Sequence, residues 1–209
     1  MTSLRGGVKV SFMKKLSTYL FLVLFSFSAP SFADDISDFQ IEGMSIGDSL
    51  LDYFSEEKIT NSNRYYPYLD NEFYAVGFDR ENSFEVYDAV EIHLKTDDKK
   101  YKIYSVDGLI FYINNIDDCY KKKDEIEKEL SEIFKGAKKI DKGTTKHVGD
   151  KSGKSTASTV YWKLDSGDFV TLECYDWSKE IETTKNWDDH LRISVVKKEL
   201  GIWIREKGL

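Results

Sequence analysis

Histidine is the side chain best suited to metal binding or proton transfer near neutral pH, and this chain of 209 residues has three of them. His93, His147 and His190 lie far apart in the sequence. Zinc ligands often come in pairs a few residues apart, and no two of these histidines have such a spacing. His93 falls on the polar side of an alternating segment, so we expect it on the solvent-exposed face of a strand. The sequence therefore predicts neither a metal site nor a cofactor.

Two acidic pairs and one glycine-containing loop resemble ligand-binding motifs without having their spacing. Asp117-Asp118 and Asp188-Asp189 lack the glycine and acidic positions of a calcium loop. Residues 149–156 read GDKSGKST, with three residues between the glycines where a phosphate-binding loop has four. A strand pattern follows this segment, so no helix N-terminus would face a phosphate. We interpret it as a flexible loop.

Ser49 is the candidate nucleophile of the chain. The run Gly47-Asp48-Ser49-Leu50 resembles the signature of the GDSL family of serine esterases. The resemblance implies that Ser49 follows an apolar parallel strand and that an Asp-x-x-His near the C-terminus completes a triad. In this chain Asp188-Asp189 directly precedes His190, and residues 41–45 make a poor strand. A secreted esterase that acts through Ser49 is therefore an alternative function, for which the residues supply neither an oriented base nor oxyanion donors.

The candidate binding residues are Tyr65, Tyr66 and Tyr68, which surround Pro67 in a polar segment. Tyrosine gives a large contact area at low entropic cost and is enriched in recognition sites. The alternative is that these rings cover an edge of the hydrophobic core. Both interpretations stay open at this stage.

A strand-turn-strand pattern over residues 157–177 is the clearest structural signal. Apolar and polar residues alternate on both sides of a turn, which is typical of two strands with one apolar face. The two apolar faces coincide only if the loop has an odd number of residues. We predict a three-residue loop, 165–167, with Gly167 in the left-handed region. Trp162 would then pair with Val170, and Cys174 would point into the core.

Cys119 and Cys174 are the two cysteines of the chain. Cys119 lies on the apolar side of a helix predicted over residues 117–135, whose other side carries lysines and glutamates. A disulfide between the two cysteines would fasten this helix to the hairpin. A redox pair or metal ligands are the alternatives, but the chain has no Cys-x-x-Cys motif. We predict the structural disulfide.

The order of the other elements gives the fold class. We predict a disordered lead-in over residues 34–40, a helix with its approach over 41–57, strands over 73–78, 86–95, 101–106 and 137–148, a polar loop around 178–186 and a last strand around 191–195. Residues 109–113 form either a fourth strand after an Asp107-Gly108 turn or a bulged continuation of the third strand. Residues 200–204 are either helix or strand. Runs of antiparallel strands with helices on one face make an α+β fold, here with two weakly similar halves that each run from a helix to strands.

The N-terminus indicates export. A short basic stretch ends at Lys15, an apolar run covers residues 20–27, and Ser31-Phe32-Ala33 is a cleavage site of small residues. This is the pattern of a secretory signal peptide over residues 1–33, with residues 1–12 ahead of it as an upstream start extension. Residues 1–33 hold four basic and no acidic side chains, so the net charge changes from −7 for the whole chain to −11 for residues 34–209. We expect one acidic periplasmic or extracellular domain that neither spans a membrane nor binds nucleic acid.

The residues 41–50, IEGMSIGDSL, also resemble the entry to small envelope domains of the SmpA/OmlA type and related inhibitor-like domains. Those domains open their first helix with a Gly-Met-Ser/Thr turn and pack helices on an antiparallel sheet. The resemblance implies a non-catalytic interaction module. The function predicted from the sequence is therefore an exported, non-catalytic module that binds a protein or another component of the envelope. The alternatives are the esterase and a carrier of a small ligand between helix and sheet.

Overall fold

A single antiparallel sheet of eight strands organises the chain in a computed structural model, which describes residues 36–64, 68–113 and 115–208. The strands are β1 (Asn63–Arg64), β2 (Phe73–Asp79), β3 (Ala89–Lys95), β4 (Ile103–Phe111), β5 (Lys138–Lys146), β6 (Thr156–Lys163), β7 (Phe169–Asp176) and β8 (His190–Val196). Their order across the sheet is β1-β2-β3-β4-β8-β7-β6-β5. Each half of the chain thus contributes four consecutive strands, and the halves meet where β4 pairs with β8. The predicted α+β fold is confirmed. The predicted signal peptide, Tyr65 and Tyr66 lie outside the described residues.

Four short or medium helices accompany the sheet. They are α1 (Glu56–Asn61), α2 (Ile116–Ile133), α3 (Lys179–Lys185) and α4 (Lys198–Trp203), with a π-helical turn over Ile204–Gly208 after α4. Helix α2 packs against β7 and β8 and buries Cys119, Ile126 and Leu130. We call the side of the sheet that it covers the helix face and the opposite side the polar face. None of the described helices is both long enough and apolar enough to cross a bilayer.

The hairpin of β6 and β7 has the predicted geometry. Trp162 pairs with Val170, and the amide of Leu164 donates to the carbonyl oxygen of Asp168 at 2.9 Å, which closes a three-residue loop. Gly167 has φ +90°, a left-handed conformation that other residues adopt only with strain. Trp162 is 1% exposed and lies in the core on the helix face.

The predicted disulfide between Cys119 and Cys174 is present, with 6.1 Å between the two Cα atoms. Both cysteines are completely buried. The bond joins α2 to β7 and holds the helix on the apolar side of the sheet.

The N-terminal part of the described chain differs from the prediction. Ile36 and Phe39 are buried, so the lead-in is packed, and the ring of Phe39 lies 5.8 Å from that of Phe134. The helix predicted over residues 41–57 is absent: a 3-10 turn covers Leu50–Asp52, and α1 begins only at Glu56. Gly47 has φ +94°, and its amide donates to the carbonyl oxygen of Ile103. The segment therefore binds the end of β4 where the pattern predicted a helix.

Three other assignments are settled by the structure. Of the two alternatives for residues 109–113, the continuation of the third strand is correct, because β4 runs through Asp107 and Gly108, where the other alternative required a turn. The ring of Tyr87 lies over Gly108 so closely that a Cβ atom there would be 2.4 Å from it. The polar segment after Ser178 is the helix α3, and Ser178 caps its N-terminus. Of the two alternatives for residues 200–204, the helix is correct: α4 packs Leu200 and Trp203 against Phe73 and Val196 at one end of the polar face.

Candidate functional site on the polar face

The centre of the polar face is a group of buried polar side chains from three adjacent strands. We call Glu91 and His93 on β3, Ser105 and Asp107 on β4, and Arg192 on β8 the charged cluster. The strand register places Glu91 opposite Asp107 and His93 opposite Ser105. The side chains of Glu91, Asp107 and Arg192 are 10%, 2% and 18% exposed. These groups are therefore largely removed from water, where charges persist only if they are paired.

Arg192 links the two carboxylates of the cluster. Its NH2 group donates to Oε1 of Glu91 at 2.7 Å and also to Oδ2 of Asp107. The hydroxyl of Ser105 donates to Oδ1 of Asp107 at 2.9 Å. One guanidinium thus serves two carboxylates, so the ionised groups carry a net charge of −1.

The prediction for His93 is wrong, because its side chain is buried rather than exposed to solvent. Its Nδ1 lies 3.4 Å from the hydroxyl of Ser105, and its Nε2 lies 2.8 Å from the hydroxyl of Tyr68. Burial lowers the pKa of His93, although the carboxylates of Asp107 and Glu91 act in the opposite direction. The imidazole is therefore neutral near pH 7. Alternation placed His93 on the correct face of the strand, but that face is covered here.

Tyr68, the described member of the predicted tyrosine site, is part of this cover. Its ring packs edge-on against Trp203 at 4.8 Å between centroids. The indole nitrogen of Trp203 in turn donates to Asp70 at 2.6 Å. Helix α4 thus holds the segment that follows the tyrosine-rich loop and sets Tyr68 over His93. Burial raises the pKa of Tyr68 far above its usual range, so the phenol is protonated.

A second group, the aromatic cluster, lies at the other end of the polar face and comprises His147, Tyr175, Trp177, Trp187 and His190. Tyr175 stacks on His190 at 4.8 Å and on Trp177 at 5.6 Å. Trp187 lies 4.8 Å from Trp177 and is 36% exposed. Burial lowers the pKa of His190 to about 4. This histidine was predicted as neither a ligand nor a base, and it is a buried, neutral side chain.

Two buried nitrogens of the aromatic cluster have no hydrogen-bond partner within the described chain, namely Nε2 of His190 and Nε1 of Trp177. Nδ1 of His190 donates to the carbonyl oxygen of Asp188 at 2.8 Å, so Nε2 is an acceptor. The indole nitrogen is a donor. An acceptor and a donor are therefore both unsatisfied in one cluster.

Glu173 lies between the two clusters. It accepts hydrogen bonds from the hydroxyls of Thr159 and Tyr175, each at 2.9 Å. In the strand register it lies directly opposite Arg192. Polar side chains thus extend along the face from Tyr68 to the aromatic cluster.

Ser49 lies outside these clusters. Its hydroxyl donates to the carbonyl oxygen of Lys100 at 2.7 Å and accepts from the amide of Leu51. These contacts cap the 3-10 turn at Leu50. Among the described residues, no histidine hydrogen-bonds to Ser49, so the geometry that an esterase requires is not assembled around it.

The loop that resembles a phosphate-binding motif is organised around a carboxylate. Asp150 accepts hydrogen bonds from the amides of Ser152 and Ser155 and from the hydroxyls of Ser155 and Ser178. These hydrogen bonds lower the pKa of Asp150 well below its usual range. The donors that would hold a phosphate are already bound to an anion, so the loop has a structural role.

The sequence analysis did not identify the charged cluster. A signal was available, because Glu91 and His93 alternate with apolar residues, as do Ser105 and Asp107 in the next strand. Arg192 belongs to a strand far along the chain, and only the pairing of β4 with β8 brings it to the other two strands.

Comparison of the chain with models of protein families, with curated proteins and with solved structures finds no match.

Proposed function

We propose that the protein is an exported, non-catalytic binding module that recognises a protein partner through the polar face of its sheet. The observation that carries this proposal is the row of half-buried side chains on the polar face of β6 and β7, which bear hydroxyl groups and a carboxylate. The row consists of Thr159, Tyr161, Thr171, Glu173 and Tyr175. Such a mixture of tyrosine and adaptable polar groups is typical of recognition surfaces.

Exposed apolar side chains border this face at both ends. Leu69, which follows Tyr68, is 73% exposed, and Trp187 of the aromatic cluster is 36% exposed. Large apolar groups at such positions can contribute most of the binding energy if a partner buries them. Their positions support a contact that extends along the face rather than one limited to a small pocket.

The charge of the face indicates the kind of partner. At the centre of the face, Glu91, Asp107 and Glu173 carry three negative charges and Arg192 carries one positive charge, and burial keeps His93 neutral. Two exposed lysines of the same face, Lys138 and Lys163, lie at one end of β5 and β6. The whole chain is also acidic, with a net charge of −7. A partner with a basic surface would be electrostatically complementary and would associate faster at low ionic strength.

Export is supported by two features. The sequence of residues 1–33 has the pattern of a signal peptide, and a buried disulfide is typical of proteins that fold in an oxidising compartment. We infer a periplasmic or extracellular location.

The test is a crosslinking pull-down from the host's own envelope with the exported, oxidised protein, followed by affinity measurement with the recovered partner. Thr171→Arg places a positive charge in the middle of the polar face and should weaken binding at least about tenfold. Thr144→Arg makes the same change on the helix-face side of β5 and should leave the affinity unchanged. A variant with Tyr65, Tyr66 and Tyr68 replaced by serine tests the predicted tyrosine site. Equal binding by all these proteins, or no partner in the envelope, would refute the proposal.

A second candidate function, a small-ligand carrier, is favoured by the unsatisfied nitrogens of the aromatic cluster. A ligand with one hydrogen-bond donor and one acceptor would satisfy His190 and Trp177. Native mass spectrometry of the exported protein should then show a bound compound, and His190→Phe should reduce its occupancy. Protein recovered without any bound compound would argue against this candidate.

A further inference from the structure

The charged cluster contains a set of donors suited to a divalent cation. One ligand atom each from Glu91, His93 and Asp107 lies within 4.8 Å of the other two, and all three residues are buried. One imidazole nitrogen with two carboxylate oxygens suits Zn²⁺, Mn²⁺ and Fe²⁺ better than Mg²⁺ or Ca²⁺, which prefer oxygen ligands alone. Neighbouring ligands of a tetrahedral zinc ion are roughly 3.3 Å apart, so small side-chain rotations would close this set around an ion.

We propose that Glu91, His93 and Asp107 form a divalent-cation site, and that the guanidinium of Arg192 takes the place of the cation in the metal-free protein. Arg192 donates to both carboxylates of the set. A metal ion between the two carboxylates would make the same two contacts. A single guanidinium neutralises only one of the two carboxylate charges. A divalent ion neutralises both, which favours the exchange in a site largely shielded from water.

The structure offers Arg192 a second position. Glu173 lies directly opposite it on β7 and is half-buried. The side chain of Arg192 is also more exposed than that of Asp107, at 18% against 2%. Arg192 can therefore move from the two carboxylates of the site to Glu173 without giving up an ionic partner.

His93 is arranged to ligate through Nδ1. This nitrogen lies on the side of Ser105, whose hydroxyl proton is donated to Asp107. Nε2 lies beside the hydroxyl of Tyr68. When Nδ1 binds a metal, the proton of the neutral ring resides on Nε2 and is donated to the Tyr68 oxygen. Such a hydrogen bond orients a ligating imidazole and makes it more basic, so Tyr68 is a positioning residue for the site.

The decisive experiment is a calorimetric titration of the tag-free, oxidised full chain, first stripped of metal with a chelator, using Zn²⁺ and Mn²⁺. The wild-type protein should bind one Zn²⁺ ion saturably. Arg192→Gln should bind it at least about tenfold more tightly, because no guanidinium has to be displaced. The same change at an exposed arginine, Arg205→Gln, should leave the affinity within about twofold of the wild type.

Two further variants test the ligands. The first is a triple variant that removes both carboxylates together with the guanidinium that pairs with them, namely Glu91→Gln, Asp107→Asn and Arg192→Gln. This variant should no longer bind one Zn²⁺ ion. Tyr68→Phe should weaken binding about tenfold. If the triple variant does not fold, NMR of the wild type decides the role of His93, whose imidazole resonances should shift when Zn²⁺ is added. Lack of saturable binding by the wild type, equal affinity of Arg192→Gln, binding that survives in the triple variant, or unshifted His93 resonances would overturn the proposal.

Discussion

At the scale of single residues, Arg192 is the group on which the charged cluster depends. Its guanidinium forms salt bridges with the carboxylates of Glu91 and Asp107, and both carboxylates are largely buried. Removing one member of a buried ion pair is far more costly than removing the pair, because the remaining charge stays desolvated. The cluster therefore constrains which substitutions the polar face tolerates.

We expect Arg192→Ala to lower the free energy of unfolding by about 3 kcal/mol, the lower end of the range for a broken buried pair, because the guanidinium is partly exposed. Urea denaturation near neutral pH measures this loss. Arg205→Ala, at an exposed position, is the matched control and should change stability by less than about 0.5 kcal/mol. A loss below about 1 kcal/mol for Arg192→Ala would show that water compensates the two carboxylates.

His190 should make stability depend on pH. Burial lowers its pKa to about 4 from the ordinary 6.5, so between these values the unfolded chain binds a proton that the folded protein does not. Stability is therefore complete above about pH 6.5 and decreases as the pH falls toward 4, with a loss of about 2–3 kcal/mol at about pH 4.5. His190→Gln should reduce this loss, measured as the difference in unfolding free energy between about pH 7 and about pH 4.5. An unchanged difference in the variant would contradict the assignment.

Among the secondary-structure elements, a strand pair can be predicted where the local sequence pattern specifies its register. Whether a helix forms depends also on the tertiary contacts of its segment. The β6–β7 hairpin has a register set by its own alternation and by an odd loop length. The N-terminal segment has an apolar stripe that favours a helix, but the left-handed Gly47 and the bond from its amide to Ile103 direct it to the end of β4. A tertiary contact thus overrides the local pattern there.

The disulfide is the covalent link between α2 and the sheet. The cysteines are 55 residues apart, and closing a loop of that length stabilises the folded state by about 4 kcal/mol in the chain-entropy model. We expect Cys119→Ala combined with Cys174→Ala to lower the free energy of unfolding by this amount in urea denaturation. A reductant should destabilise the wild type but leave the double variant unaffected. A reductant effect on the double variant would show that the loss has another cause.

At the scale of the whole molecule, the two edges of the sheet are protected in different ways. One edge is β1, which has only two residues. The other is β5, a strand of nine residues with a bulge between Asp141 and Gly143. Four exposed lysines lie along it, at positions 138, 139, 142 and 146, and Lys139 forms a salt bridge with Glu127. Short edge strands, bulges and lysines all discourage pairing with a second chain.

Replacing Lys138, Lys142 and Lys146 with threonine should promote self-association through β5, because the open hydrogen-bonding edge loses its repulsive charges. Size-exclusion chromatography with light scattering should show larger species at concentrations where the wild type elutes at a smaller mass. The matched control replaces three exposed lysines of α2 and the turn after it, Lys121, Lys128 and Lys135, and makes the same change in net charge. Association by both proteins would attribute the effect to net charge rather than to the edge, and a β5 variant that elutes at the mass of the wild type would contradict the prediction.

Features that depend on nearby residues can be predicted from the sequence alone. Alternation and loop parity specified the β6–β7 hairpin, and helical periodicity specified α2. Because the hairpin and the helix each place a cysteine on their apolar side, the disulfide can also be predicted from the sequence. These signals are local, so no knowledge of the rest of the fold was needed to read them.

The candidate site depends on contacts between residues that are distant in the sequence. The charged cluster exists because the sheet places β3, β4 and β8 side by side, and the pairing of β4 with β8 joins residues 85 positions apart, as in Asp107 and Arg192. His93 was expected in water because its side of the strand is polar, but Tyr68, held by α4, covers it. Alternation identifies the two faces of a strand, whereas long-range packing determines which of them reaches solvent and which charges meet there.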